Sequence, residues 1–279
     1  MNTQTKASFK KEFLAFFRTN RFLIIALSVI GLAALSPLLI AAMGGMMTAM
    51  SDIYDEFGMD ITGMTDYLTA SSSTGIVQSV PNVTGIALIV FLLLINRYAG
   101  GEQKKRSIII PRSSGLRSFG YIFPKFIIYP LSAFILGFAG MIVSWFVSGL
   151  VFEVNDVTFG IAAIVGVLVG ACLMLYVCFH LALGTATGKA GMSAAICIAA
   201  SLLLPNILAI ADTNYLYNPF ALDLLAMDTV MKGFATISDI QEMIVTIIIA
   251  LVLMIIVYFL ALFAQNAKKI DNTGNEIDL

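Results

Sequence analysis

Six apolar runs, each near the ~20 residues needed to cross about 30 Å of hydrocarbon, constrain this chain more than any other feature. They cover 22–43, 80–96, 123–151, 159–183, 190–211 and 243–264. Charged residues make up 12% of the 279 positions, about half the share of a soluble domain, which is roughly 25%. The expected solvent for most of the surface is therefore lipid. The fold class that follows is all-α, a polytopic membrane protein with six transmembrane helices. The third run is long enough to tilt or to continue along the interface. Pro37, Pro130 and Pro205 fall inside runs, where neighbouring helices can satisfy the carbonyls that proline frees. The first run exceeds a signal-peptide core and no A-x-A-like site follows it, so it is expected to stay in the protein.

The distribution of charge gives the orientation. An even number of spans puts both ends on one face, together with the stretch 97–125 between the second and third runs. That face receives fifteen of the sixteen Lys and Arg residues, and only Lys232 lies opposite. Seven of the fifteen sit in 97–125: Arg97, Lys104, Lys105, Arg106, Arg112, Arg117 and Lys125. Twelve of the seventeen acidic residues lie on the other face, among them Asp156, Asp223 and Asp228. Because Lys and Arg are retained on the cytoplasmic side, both termini are expected there. The basic stretch then has two jobs open to it: to hold the loop inside, and to dock something, since 103–110 has helical composition.

Three other segments carry a pattern. In 5–21, Phe9, Phe13, Phe16 and Phe17 fall at helical spacing while Lys10, Lys11, Arg18 and Arg21 take other faces. This predicts an amphipathic helix lying on the cytoplasmic leaflet. The outer stretch 44–79 is acidic and rich in Gly, Ser, Thr and Met, and its start is expected to extend the first span. In 212–242, an Asn218–Pro219 turn precedes Phe220, Leu224, Met227 and Met231 at helical spacing, with Asp223, Asp228 and Lys232 elsewhere and Gly233 as a stop. The expectation is a short amphipathic helix dipping into the outer leaflet. The domains read as a helix at 1–21, a membrane domain at 22–264 and a tail at 265–279.

Motifs with catalytic chemistry are scarce. Gly184-Thr-Ala-Thr-Gly188-Lys189-Ala190 lacks one residue of a phosphate-binding loop and puts Ala190 where the magnesium-binding hydroxyl belongs. It is expected to be a tight turn between spans four and five. Cys172, Cys178 and Cys197 lie in apolar runs without CxxC spacing, as packing residues do. One histidine, His180, removes most histidine-based metal and acid–base chemistry, and a packing role is expected for it. No run carries a charge at its centre, although such charges mark ion and proton pathways. Gly166 and Gly170 form a GxxxG that lets helix backbones approach closely, so they are expected to be helix-packing residues. No nucleic-acid partner is expected, and neither is an enzyme.

Taken together, the N-terminal amphipathic helix, the six spans with inward termini, the basic loop and the apolar outer segment resemble the ABC type-2 permeases. These are membrane subunits of ATP-binding-cassette exporters with the type V exporter fold. Within the loop, Glu102, the run Lys104–Lys105–Arg106, the turn Pro111-Arg112-Ser113 and Lys125 resemble the family's Glu, short helix, Pro–Arg turn and Lys opening the third span. The family's Gly-Thr after the Glu is absent, and the next Arg after Arg112 is Arg117.

The resemblance implies that Glu102, Gln103, Lys104, Lys105, Arg106, Pro111 and Arg112 belong to a coupling helix that docks on a cytoplasmic ATPase subunit. It implies that 5–21 is a connecting helix and that Asn218, Pro219 and Phe220 open a re-entrant outer segment. Partners would be that ATPase, a second permease chain (a homodimer), membrane lipid and the cargo. This chain would hold no cofactor, with ATP and Mg on the partner ATPase. The location would be a bacterial plasma membrane. An amphipathic or hydrophobic cargo is expected, as in permeases for phenol-soluble modulins, bacteriocins or drugs, because Met and aromatic residues adapt to varied shapes. A stand-alone immunity or peptide-binding protein, and a polysaccharide- or lipid-exporting permease, are the alternatives.

Overall fold

The structure is a computed structural model and describes residues 3–50, 53, 71–102, 117–210, 217–233, 237–267, 269–270 and 276–277. Six helices in it are long and apolar enough to cross a membrane by length and composition. In chain order the elements are α1 (Thr3–Phe17), α2 (Asn20–Ala49), α3 (Ser72–Gly101), α4 (Ser118–Val151), α5 (Phe159–Thr187) and α6 (Ala190–Ile210). A 3₁₀ turn at Pro219–Ala221 then leads into α7 (Leu222–Lys232), and α8 (Ile237–Ala267) follows. Lys269–Ile270 pairs antiparallel with Glu276–Ile277 after α8.

The helices outrun the apolar runs at most ends. α4 starts at Ser118 rather than 123, so Lys125, expected where the third span opens and counted with the basic loop, stands well inside the helix. α3 starts at Ser72 and carries two π-helical stretches, Asn82–Ala87 and Arg97–Gly101. The wider turns of a π-helix leave one extra residue per segment, a feature concentrated at functional sites. α5 ends where Gly188 takes φ +68° and its N–H caps the Gly184 carbonyl, a left-handed stop that glycine adopts without steric cost. The stretch resembling a phosphate loop is thus a helix cap.

α5 is the central helix. Within its most apolar window 72% of the residues are buried, against 28% in α2 and α6 and 22% in α8. Small residues seat it. A Cβ on Gly170 would come within 2.7 Å of the Phe134 carbonyl oxygen, and one on Gly166 within 2.9 Å of the Phe138 ring. Both glycines therefore face α4, where Gly137 lies opposite Gly170. At one end of α5, Gly184 meets Ala99 of α3 so closely that a Cβ would stand 2.8 Å from the Ala99 oxygen. There Gln265 of α8 donates to the Thr185 carbonyl at 2.9 Å.

Two ends of the bundle can be told apart by their polar contacts. One gathers α1, the end of α3, the start of α4, the α5–α6 turn and the end of α8. The other is tied by Ser72 and Ser73 at the start of α3, which hydrogen-bond the Asp156 carboxylate at 2.8 and 3.0 Å. Burial pushes that carboxyl up, but these bonds outweigh it and hold it below the usual range. Deeper in the bundle, Ser79 and Ser144 join hydroxyls at 2.6 Å, and Asn82 donates to Ser36 at 2.8 Å. The sequon-like Asn82-Val83-Thr84 is consumed by packing.

Candidate functional site

The most concentrated chemistry lies at the α1 end, around Glu102. The last π turn of α3 and one further residue carry Glu102 into the bundle, where Lys125 meets it from α4. Lys125 is fully buried, and its Nζ lies 2.6 Å from Glu102 Oε2, 2.8 Å from the Tyr98 carbonyl oxygen and 3.0 Å from Tyr121 Oη. All three of the ammonium's donors are therefore used, the condition under which a buried cation is tolerable. Tyr121 Oη donates to Glu102 Oε2 at 3.2 Å. Lys11 of α1 approaches the other carboxylate oxygen, Oε1, at 3.4 Å. Burial pushes the Glu102 carboxyl up; Lys125, Lys11 and Tyr121 together overcome this and hold it below the usual carboxylate range.

α1 is bound to the same cluster through a second carboxylate. Glu12 is buried and accepts from Tyr129 Oη at 2.8 Å. Tyr98 donates to the Ala15 carbonyl at 3.1 Å, stacks on Tyr129 at 4.9 Å between centroids, and lies under the Arg21 guanidinium at 5.5 Å. Phe16 closes the contact edge-on to Tyr129. One polar network thus joins α1, α3 and α4.

This network gives α1 an inward face that the sequence reading did not describe. Its buried stripe is Thr5, Ser8, Glu12 and Phe16, while Phe13, Leu14 and Phe17 are exposed. Three polar residues and Phe16 point into the protein, and Phe13 and Phe17 point out of it. Tyr98, Tyr121 and Tyr129 were not singled out from the sequence. The signal was there: Tyr121, Lys125 and Tyr129 recur every four residues, a polar stripe along one face of an apolar helix. Of the predicted coupling residues, Glu102 is the one the structure describes. Gln103, Lys104, Lys105, Arg106, Pro111 and Arg112 lie outside the described residues.

The second candidate region starts at Asn218, whose side chain accepts from the Phe220 N–H at 3.0 Å and so starts the Pro219–Ala221 turn. The Phe220 ring packs on Tyr176 and Phe179, with centroids 6.2 and 5.5 Å apart. Tyr176 stands about 25 Å along α5 from Phe159, at 1.5 Å per residue, so the turn sits deep against the central helix. α7 then runs to Gly233, whose φ of +65° ends it. Its buried face is Leu222, Asp223, Leu225, Ala226, Thr229 and Val230, not the Leu224, Met227 and Met231 stripe. Met231 is exposed and Asp223 is buried. Burial pushes the Asp223 carboxyl up to about 6 against the bonds it accepts from backbone N–H groups.

His180 is buried in α5. Ser193 Oγ spends its single proton on the His180 carbonyl at 2.7 Å, so the 2.8 Å contact to Nδ1 assigns that nitrogen as the donor. Among the described residues no group of three or more metal-ligating side chains occurs. No family model and no curated protein matches this chain.

Proposed function

We propose that this chain is the transmembrane permease subunit of an ATP-driven exporter, moving an amphipathic or hydrophobic cargo such as a peptide toxin, bacteriocin or drug out of the cell. ATP and Mg would be bound and hydrolysed by a separate cytoplasmic ATPase chain, and two permease chains would enclose the pathway. The observation that carries this reading is the anchoring of Glu102. This residue, the one that follows α3, is held by a buried lysine of α4, by α1 and by the end of α3. A push on 103–112 would therefore move three helices at once instead of bending a slack loop.

Other features support the same reading. By the sequence count fifteen basic residues belong to the face that holds both termini, which the positive-inside rule assigns to the cytoplasm. The outward Phe13, Leu14 and Phe17 of α1 suit a helix lying in the cytoplasmic leaflet. The Asn218–Phe220 turn, deep against α5, suits a re-entrant segment that closes the exit. Exposed apolar faces on α2, α6 and α8 are available to lipid and to a second copy.

The test is charge reversal of Lys104, Lys105 and Arg106 to Glu. It is expected to abolish co-purification of the ATPase and cargo-stimulated hydrolysis, while the melting temperature of the permease stays within a degree or so. Cargo-stimulated hydrolysis that survives the triple change would sink the coupling role.

A further inference from the structure

Among the described residues no cation pairs with the Asp223 carboxylate. Its side chain accepts from the Leu224 N–H at 2.9 Å, within its own helix. Lys232 is the only basic residue that the charge distribution leaves at this end, and it pairs with Asp228 at 2.7 Å at the far end of α7. The titratable groups that face Asp223 come from α5. Its backbone N–H meets the Cys172 sulfur, and Tyr176 lies within electrostatic reach. α3 also packs against α7, and its Ser72–Pro81 segment carries no charged or titratable side chain.

A second, independent observation points to a ligand. Tyr176 is 2% exposed, yet its Oη has no hydrogen-bond partner among the described residues. A buried hydroxyl is costly to leave unbonded, so this phenol keeps its full capacity to hydrogen-bond a ligand. Beside Tyr176 stands Phe220, whose ring also packs on Phe179. One carboxylate, one phenol oxygen and neighbouring aromatic rings are the wrong set for a hard divalent cation such as Mg or Ca, which takes six or more oxygens. They are the right set for an organic ammonium group, held by charge, by a hydrogen bond to oxygen and by cation–π attraction.

We propose that Asp223 and Tyr176 form a recognition site for a primary ammonium group on an amphipathic molecule, with Phe220 and Phe179 receiving its apolar portion. The assignment rests on the export reading only in calling that molecule cargo. Binding by the chain alone tests it without nucleotide, so its failure leaves the coupling test untouched.

The experiment uses full-length chain in phosphatidylcholine nanodiscs and dansylcadaverine, an apolar fluorophore carrying a primary amine. The N-acetylated probe serves as its neutral twin, and empty nanodiscs give the background. Saturable binding of the amine above background is expected near pH 8, with at least tenfold weaker binding of the acetylated probe. Asp223→Asn is expected to weaken the amine at least tenfold and Tyr176→Phe several-fold, with folding of both checked by thermal melting. Binding should also fade as pH falls below about 6 and the carboxyl takes up a proton. Equal binding of the two probes, no saturable binding to the wild-type chain, or binding within twofold in Asp223→Asn would overturn the site. If Asp223→Asn changes only the pH dependence of melting, the group binds a proton and the amine assignment is wrong.

Discussion

Glu102 and Lys125 stabilise the bundle as a pair and endanger it singly. Glu102→Gln removes the carboxylate bonded to a fully buried ammonium and leaves only the more distant Glu12; breaking a buried pair on one side costs about 3–5 kcal/mol. The expected result is a marked fall in melting temperature. Lys125→Met added to Glu102→Gln should recover much of the loss, because a well-packed apolar side chain often replaces a buried ion pair with little penalty. Differential scanning fluorimetry of the single and double variants checks this, and equal loss in both would refute it. The pair also sets a pH trend. A carboxyl held below its usual range adds stability that is complete above about 4.3 and disappears as pH falls through its lower folded value.

Asp223 has the opposite sign. Its unfolded carboxyl ionises near 3.9, whereas in the fold it stays protonated up to about 6. Stability is therefore unimpaired below about pH 3.9, falls as pH rises through that window, and stays reduced above it. Asp223→Asn should raise the melting temperature at about pH 8 and leave it unchanged at about pH 3.5. A variant that is less stable at both would contradict the account. A residue that costs the fold something at neutral pH fits a binding group better than a structural one.

At the scale of elements, α4 and α5 pack through Gly137, Gly166 and Gly170 against backbone and phenylalanine rings. Gly170→Leu has no room, since even a Cβ lies 2.7 Å from the Phe134 oxygen. Overpacking of this kind costs about 1–3 kcal/mol or more. The variant should melt several degrees lower, whereas Gly31→Leu on α2, with open space around its Cβ, should melt like the parent.

The same scale shows what the sequence reveals and what it hides. The count of spans, their order and the glycine pair in α5 were readable, because a run of apolar residues needs only length to declare itself. The inward faces of α1 and α7 were not. The apolar spacing marked stripes expected at the lipid, with Phe13 in α1 and Met231 in α7, and was silent on the residues that face inward. In a bundle surrounded by lipid the apolar residues are content outside, while polar groups such as Glu12, Asp223 and Lys125 must find partners within. Lys125 was hidden for a further reason. Charge counting places a lysine near a helix end on the aqueous side, and nothing in the count records that Glu102, twenty-three positions earlier, returns to meet it.

For the whole molecule, the account requires that the network end faces the cytoplasm and the Asp156 end faces outward. The three native cysteines are buried, and replacing them by alanine or serine gives a background for single reporters. Asn155→Cys places one thiol at the Asp156 end, and Lys105→Cys places one in the basic stretch of the sequence between the second and third spans. A membrane-impermeant maleimide added to intact cells should label Asn155→Cys at once and Lys105→Cys only after the membrane is opened. Labelling of Lys105→Cys on intact cells would put the basic loop outside, away from any cytoplasmic ATPase, and would contradict the account at its centre.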